Sequence, residues 1–272
     1  RPNILAMSGS VWSRRNLAVY GHWLTSGHGV LTLVQVVPGT LEEMAERREN
    51  QIATLRKLIQ ESEIEAFPAV VVANELSDAV EWLVQCYGIG GLRPNTILFG
   101  WPTDESRYRG FGELLQRVAS VGRSIIAIHC SEENEDPWEP EGGTIDVWWR
   151  GEDNGGLMLL LAHLLGQNLV WSQHPIRLLR VIDSAAGVTA VTSHLQELTQ
   201  EARIDVAVKV VVDSDPIAAI QRESAGAGVV FLGLIAPDVG GEENYIRRMQ
   251  AFASQFPTVV FVKSAGEASL KS

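Results

Sequence analysis

An α/β fold, a mostly parallel sheet with helices on both faces, is predicted by three features of the sequence. Short β-branched apolar runs recur along the whole chain, and helical patterns with apolar residues three or four apart lie between them. The runs are apolar along most of their length rather than alternating with polar residues, so both faces of each strand need cover, which flanking helices supply.

Each element follows from its own pattern. Strands are expected at Asn3–Met7, Val30–Val37, Phe67–Ala73, Thr96–Phe99, Ser124–His129 and Thr144–Trp149. The clearest helix runs from Leu41 to Ser62, with Leu41, Met44, Ala45, Arg48, Ile52, Leu55 and Ile59 on one face and a capping box of Thr40 with Glu43 at its start. Further helices are expected over Asp78–Tyr87 and Phe111–Val121. After an acidic break the alternation resumes: helix Leu157–Leu165, strand Ile176–Ile182, helix Val188–Ala202 and strand Asp205–Val212. A helix opened by Asp215 and Pro216, strand Val229–Ile235, helix Glu242–Phe256 and strand Val259–Val262 close the chain.

The 272 residues are 46% hydrophobic, enough to bury a core without staples, and they suit one large or two ordinary domains. Arg1-Pro2-Asn3 and Arg93-Pro94-Asn95 echo one another, and Pro137 and Pro140 interrupt the chain. Two lobes follow, residues 1–135 and 143–272, joined by an acidic linker at 136–142. Two cysteines, Cys86 and Cys130, cannot make a disulfide framework; both are expected as buried free thiols in a reducing compartment.

Net charge is −11, and residues 131–153 hold nine acids against Arg150 alone. That balance argues against nucleic acid, whose binding rests on neutralised phosphates, and against an anionic membrane surface. No stretch reaches the roughly 18–20 apolar residues of a membrane span. The richest, Gly155–Gly166, is short and contains His163, so no direct membrane insertion is expected. The first residue is Arg1, not Met, and no basic-then-apolar leader follows it, so the sequence reads as a fragment of something longer rather than a secretory precursor.

Chemistry in an open parallel sheet belongs after the strands. Ser8-Gly9-Ser10 resembles half a phosphate loop, without the full Gly-rich motif. Gly88, Gly90, Gly91 and Gly100 form a looser set with a spacing similar to that of nucleotide-binding universal stress proteins, but Trp101 stands where a hydroxyl is expected. Ser8, His129 and Asp183 could be drawn as a hydrolase triad, although the Gly of a nucleophile elbow is missing. His22 and His28 lack the spacing of a metal pair, and His163 reads as a core or interface residue. Glu132, Glu133, Glu135, Asp136, Glu139 and Glu141 do not match a calcium loop and read as a solvated linker. No catalytic, cofactor-binding or metal residue is therefore assigned, and no cofactor. Trp148 and Trp149 adjoin on one strand, so one should face inward and the other outward beside the Gly155–Gly166 helix, unless the strand is interior and both are core.

Gly143-Thr144-Ile145-Asp146-Val147-Trp148-Trp149, followed by Asp153-Asn154-Gly155-Gly156-Leu157, resembles the C-terminal domain of the cation-chloride cotransporter family. So does the segment from Gly88 to Pro102, with Gly91-Leu92-Arg93-Pro94-Asn95-Thr96 and the ending Gly100-Trp101, and Arg1-Pro2-Asn3 resembles the opening of that domain. The resemblance implies two universal-stress-protein-like lobes and a cytoplasmic regulatory module, not an enzyme, of an electroneutral symporter. It implies two partners, a second copy of the chain and a transmembrane transport domain, and a place on the cytoplasmic face of the membrane. The short loops look prokaryotic and leave little room for regulation by phosphorylation.

Overall fold

The computed structural model describes residues 1–9, 15–25, 27–88, 90, 92–131, 138–139 and 142–266. Ser10, Gly91, Glu132, Glu133, Glu135, Asp136 and Glu141 lie outside the described residues, and with them most of the acidic linker. The chain forms β1 (Asn3–Met7), α1 (Arg15–Thr25), β2 (Val30–Val37), α2 (Leu41–Glu61), β3 (Phe67–Val72), α3 (Leu76–Cys86), β4 (Thr96–Gly100), α4 (Tyr108–Ser120) and β5 (Ser124–Cys130). Then come β6 (Thr144–Trp148), α5 (Glu152–Gly166), β7 (Ile176–Ile182), α6 (Val188–Glu201), β8 (Ala207–Val212), α7 (Pro216–Glu223), β9 (Ala227–Gly233), α8 (Glu242–Ala253) and β10 (Thr258–Lys263).

Two compact units result. One is Arg1–Ile128 with Ala236–Ile246; the other is His129–Ile235 with the chain from Arg247 on. Strand order is β3-β2-β1-β4-β5 in the first and β8-β7-β6-β9-β10 in the second, the same pattern used twice. The pairings within each are parallel. Right-handed crossovers then place α1 and α2 on one face of the first sheet and α3 and α4 on the other. The expected α/β architecture, mostly parallel with helices on both faces, is borne out.

Local chemistry sets the element ends. Thr40 accepts the N–H of Glu43 and donates its hydroxyl to Glu43 Oε2 at 2.9 Å, so the Thr40 half of the box opens α2 and the Glu43 carboxylate is held on the Thr40 hydroxyl. Asp215 accepts from the N–H groups of Ile217 and Ala218 at 3.0 and 3.1 Å, with Pro216 following, and so opens α7. The echoing Arg-Pro-Asn segments start neighbouring strands, β1 and β4, of one unit. Asn95 ties them: its Oδ1 accepts from Asn3 N–H, its Nδ2 donates to the Arg1 carbonyl, and its own carbonyl accepts from Ser124 N–H, each at 3.0 Å.

Helix α1 was not anticipated. It buries Leu17, Ala18, Val19, Tyr20, Gly21, Trp23, Leu24 and Thr25, and a helix buried all round shows no apolar stripe. Cys86 also departs from expectation, because it ends α3 on the solvent side and is exposed, while Cys130 is half-buried; neither is in a disulfide.

Candidate functional site: a buried carboxylate hub

β6 is the middle strand of the second unit, between β7 and β9. Its residues alternate, which sends Ile145 and Val147 to one face and Asp146 and Trp148 to the other. Asp146 is wholly buried, and a bare carboxylate in such a place is prohibitive. The fold meets this with four donors. Arg177, directly opposite on β7, gives Nε to Oδ1 at 2.7 Å and Nη2 to Oδ2 at 2.5 Å. Thr144 Oγ1 donates to Oδ1 and Ser224 Oγ to Oδ2, both at 2.6 Å.

The network continues outward. Ser224, just past α7, also accepts from Trp148 Nε1 at 3.0 Å, and Arg177 Nη2 reaches the Glu223 carbonyl at 2.9 Å. The Glu223 carboxylate takes Lys209 Nζ of β8 at 2.5 Å, and Arg222 pairs with Asp213 at 3.0 Å. Hydrogen bonding to Asp146 raises the Arg177 guanidinium further above its ordinary range, and the Lys209 hydrogen bond lowers the Glu223 carboxyl. Such a site, with a carboxylate saturated by four donors, fastens β6, β7 and α7 together.

Trp148 and Trp149 are 5% and 3% exposed, so neither faces outward. Because β6 is interior and both faces are covered, alternation sends each ring into a core. Trp149 lies over α5 at Gly155, where a Cβ would meet its ring carbons at 2.6 Å. Helix α5 is itself buried through Leu157, Met158, Leu159, Leu161, Ala162, Leu164 and Leu165, and the outward surface expected of the Trp pair and this helix is overturned. Asn154 of the same motif donates to the Leu234 carbonyl at 3.1 Å and accepts from Ser264 N–H at 2.8 Å, spanning the ends of β9 and β10.

The glycines of the first unit do not converge. Gly88 and Gly90 precede β4 and Gly100 ends it, at opposite ends of a strand that runs about 13 Å from Thr96 to Gly100 at ~3.3 Å per residue. Ser8 falls at the Gly100 end, since Ala6 pairs with Leu98. Its hydroxyl donates to the Val34 carbonyl at 3.2 Å. Beyond Gly100, buried Trp101 packs edge-on against Phe111 at 5.4 Å, and Phe111 against Phe99 at 5.9 Å.

His129 is buried, its Nδ1 has no hydrogen-bond partner among the described residues, and desolvation lowers its pKa. The hydrogen bonds of a Ser8-His129-Asp183 triad are thus not formed. His22 accepts the Glu65 N–H on Nδ1 at 3.2 Å and is also lowered by burial, while His28 is exposed. His163, half-exposed, bonds Gln167 at 2.9 Å. Among the described residues no group of three His, Cys, Asp or Glu could hold a metal ion, and no helix is long and apolar enough to cross a membrane.

Sequence reasoning missed Arg177 and Ser224. The available signal was Asp146 itself, since a charge inside a strand with apolar neighbours demands a partner, and Ile176–Ile182 supplies Arg177 and Arg180.

The chain is similar to several known proteins. The family model described as solute carrier family 12 matches residues 14–109 and 138–225, more than half of the chain. Potassium/chloride cotransporter 3 of Caenorhabditis elegans is 28% identical over 194 residues, 66% of this chain and 18% of that protein; the chain thus spans under a fifth of that relative's length. Among solved structures, the cytoplasmic domain of a prokaryotic cation chloride cotransporter gives a TM-score of 0.73 at 18% identity, covering 99% of this chain and 98% of the other. A universal stress protein from Archaeoglobus fulgidus gives 0.62 at 15% identity, covering 98% of each. Both likenesses bear out the universal-stress-like fold, and the family match bears out the resemblance read from Gly143–Trp149. The chain belongs to solute carrier family 12.

Proposed function

We propose that this chain is the cytoplasmic regulatory and dimerisation domain of an electroneutral cation-chloride symporter, whose ions cross through a membrane domain of the same full-length protein. The observation that carries the reading is the family match over segments of both halves of the chain, on a fold similar to the cytoplasmic domain of a prokaryotic relative. Two copies would repeat one surface about a two-fold axis. Differences in packing between transport states would then bias transport by population shift. We propose lobe boundaries at 1–135 and 143–272, as read from the sequence.

Chloride-dependent cation uptake into vesicles holding the full-length transporter, with and without this domain, tests the role. Uptake that changes while the membrane part still inserts supports regulation, and identical uptake refutes it. Sedimentation of the isolated chain tests dimerisation separately.

A further inference from the structure

His22 and Glu65 form a contact that only one protonation state of the imidazole can make. His22 stands half-buried in the last turn of α1, and its Nδ1 accepts the Glu65 N–H at 3.2 Å. A backbone amide can only donate, so the bond needs a lone pair on Nδ1, and the neutral ring carries its one proton on Nε2. Once the ring takes its second proton, on Nδ1, two donors face each other and the bond is lost.

The bond fastens the turn between α2 and β3 to α1. Ile64 of that turn is buried, and its N–H donates to the Ile59 carbonyl at 3.1 Å. Glu63 before it holds φ at 53°, a left-handed conformation that a non-glycine residue keeps only where its surroundings impose it. Strand β3 starts at Phe67, just beyond the clasped amide.

Charge around the ring is one-sided. Burial, the larger effect, lowers the His22 pKa, and the Glu65 carboxylate opposes it. On α1 the other titratable groups are Arg15, its first residue, and Tyr20, buried edge-on against Trp23. Strands β1, β2 and β4, on which α1 packs, carry no charged residue, and Glu61 and Glu63 of the turn side lie in solvent. The last turn of a helix also favours a cation, so α1 itself does not resist the proton.

We propose that His22 and Glu65 make a pH-sensitive clasp: neutral His22 holds the Glu65 N–H and fixes the turn before β3, and protonated His22 releases the N–H and turns to the Glu65 carboxylate. The proton comes from water. One residue offers the ring both partners, a donor for its neutral form and an acceptor for its charged form. The clasp is closed at and above pH 6.5, the ordinary imidazole value, and opens as the pH falls further, because burial holds the folded value below it. This inference is independent of the transport role proposed above.

The test follows single amides of the whole chain by NMR hydrogen exchange across the His22 titration, each rate being divided by its intrinsic value at that pH. The Ala73 N–H, on the Val37 carbonyl at the far end of β3, is the reference. As pH falls from about 7.5 to about 5, protection of the Glu65 amide is expected to drop about tenfold, the scale of one hydrogen bond, with Ala73 unchanged. H22N, whose side-chain carbonyl accepts the same N–H and gains no proton, is expected to keep the protection throughout. E65Q, which removes the counter-charge and leaves the amide, shifts the drop to lower pH. Protection that stays constant while the His22 ring resonances titrate overturns the proposal, as does a drop of the same size in H22N. So does a fall at Ala73 equal to that at Glu65, which would be opening of the whole unit.

Discussion

Asp146 and Arg177 stand opposite one another on neighbouring strands, and the guanidinium closes on both carboxylate oxygens at 2.7 and 2.5 Å. The pair is more revealing when halved than when deleted. R177A leaves a buried, uncompensated charge and is expected to cost about 3–5 kcal/mol, whereas D146L with R177M, which removes both charges, costs much less or nothing. Urea unfolding of the two variants checks this; equal losses would show that shape, not charge, holds the hub.

Gly155 bears the Trp149 ring where a side chain would stand. G155A is expected to lose about 1–3 kcal/mol by overpacking, and W149L in the same chain to return part of it. Thermal unfolding of the single and double variants gives the coupling, and additive losses would break the link.

Acid should weaken the fold through imidazoles before carboxylates. His22 and His129 both have pKa values lowered by burial, so the folded chain refuses protons that the unfolded chain accepts near pH 6.5. Stability is therefore full above pH 6.5 and falls as pH drops through 6.5 toward the folded values. H22Q with H129Q is expected to flatten that slope in urea midpoints taken between about pH 7.5 and 5.5. An unchanged slope would place the titration elsewhere. Asp104, Asp213, Glu223 and Glu242 are lowered by hydrogen bonds and act only at more acid pH.

Among the described residues, Gly88 and Gly90 are split from Gly100, with Trp101 beyond, and form no single cradle for phosphates. Millimolar ATP, ADP or AMP with magnesium is expected to leave the melting temperature unchanged. A ligand at about 100 times its Kd would add ~2.7 kcal/mol and shift the midpoint by several degrees. Such a shift, removed by changing Ser8, would restore the nucleotide reading.

Much of the fold was legible because strands and amphipathic helices advertise their period. Thr40 with Glu43 and Asp215 with Pro216 also announce helix starts within four residues. Helix α1 escaped because burial on every side removes the polar face that makes a helix visible. The Trp pair was misread for a related reason. Two-sided burial of β6 depends on strand order, which no local pattern encodes. The hub was half-legible, since Asp146 demands a partner but Ser224 lies 78 residues away and is brought in only by the crossover through α7.

Asn95 has a kinetic meaning beyond its hydrogen bonds. Its links to Asn3 and Arg1 close loops of 92 and 94 residues, which span β1, β2, β3 and the helices between them. Contacts of such sequence separation bear the loop-closure entropy of nearly the whole unit and belong late on the folding path. They therefore act on the way out rather than on the way in. Loss of the Asn95 side chain should speed unfolding and scarcely touch the folding rate, so the asparagine that begins the fourth strand governs how long the first lobe stays closed.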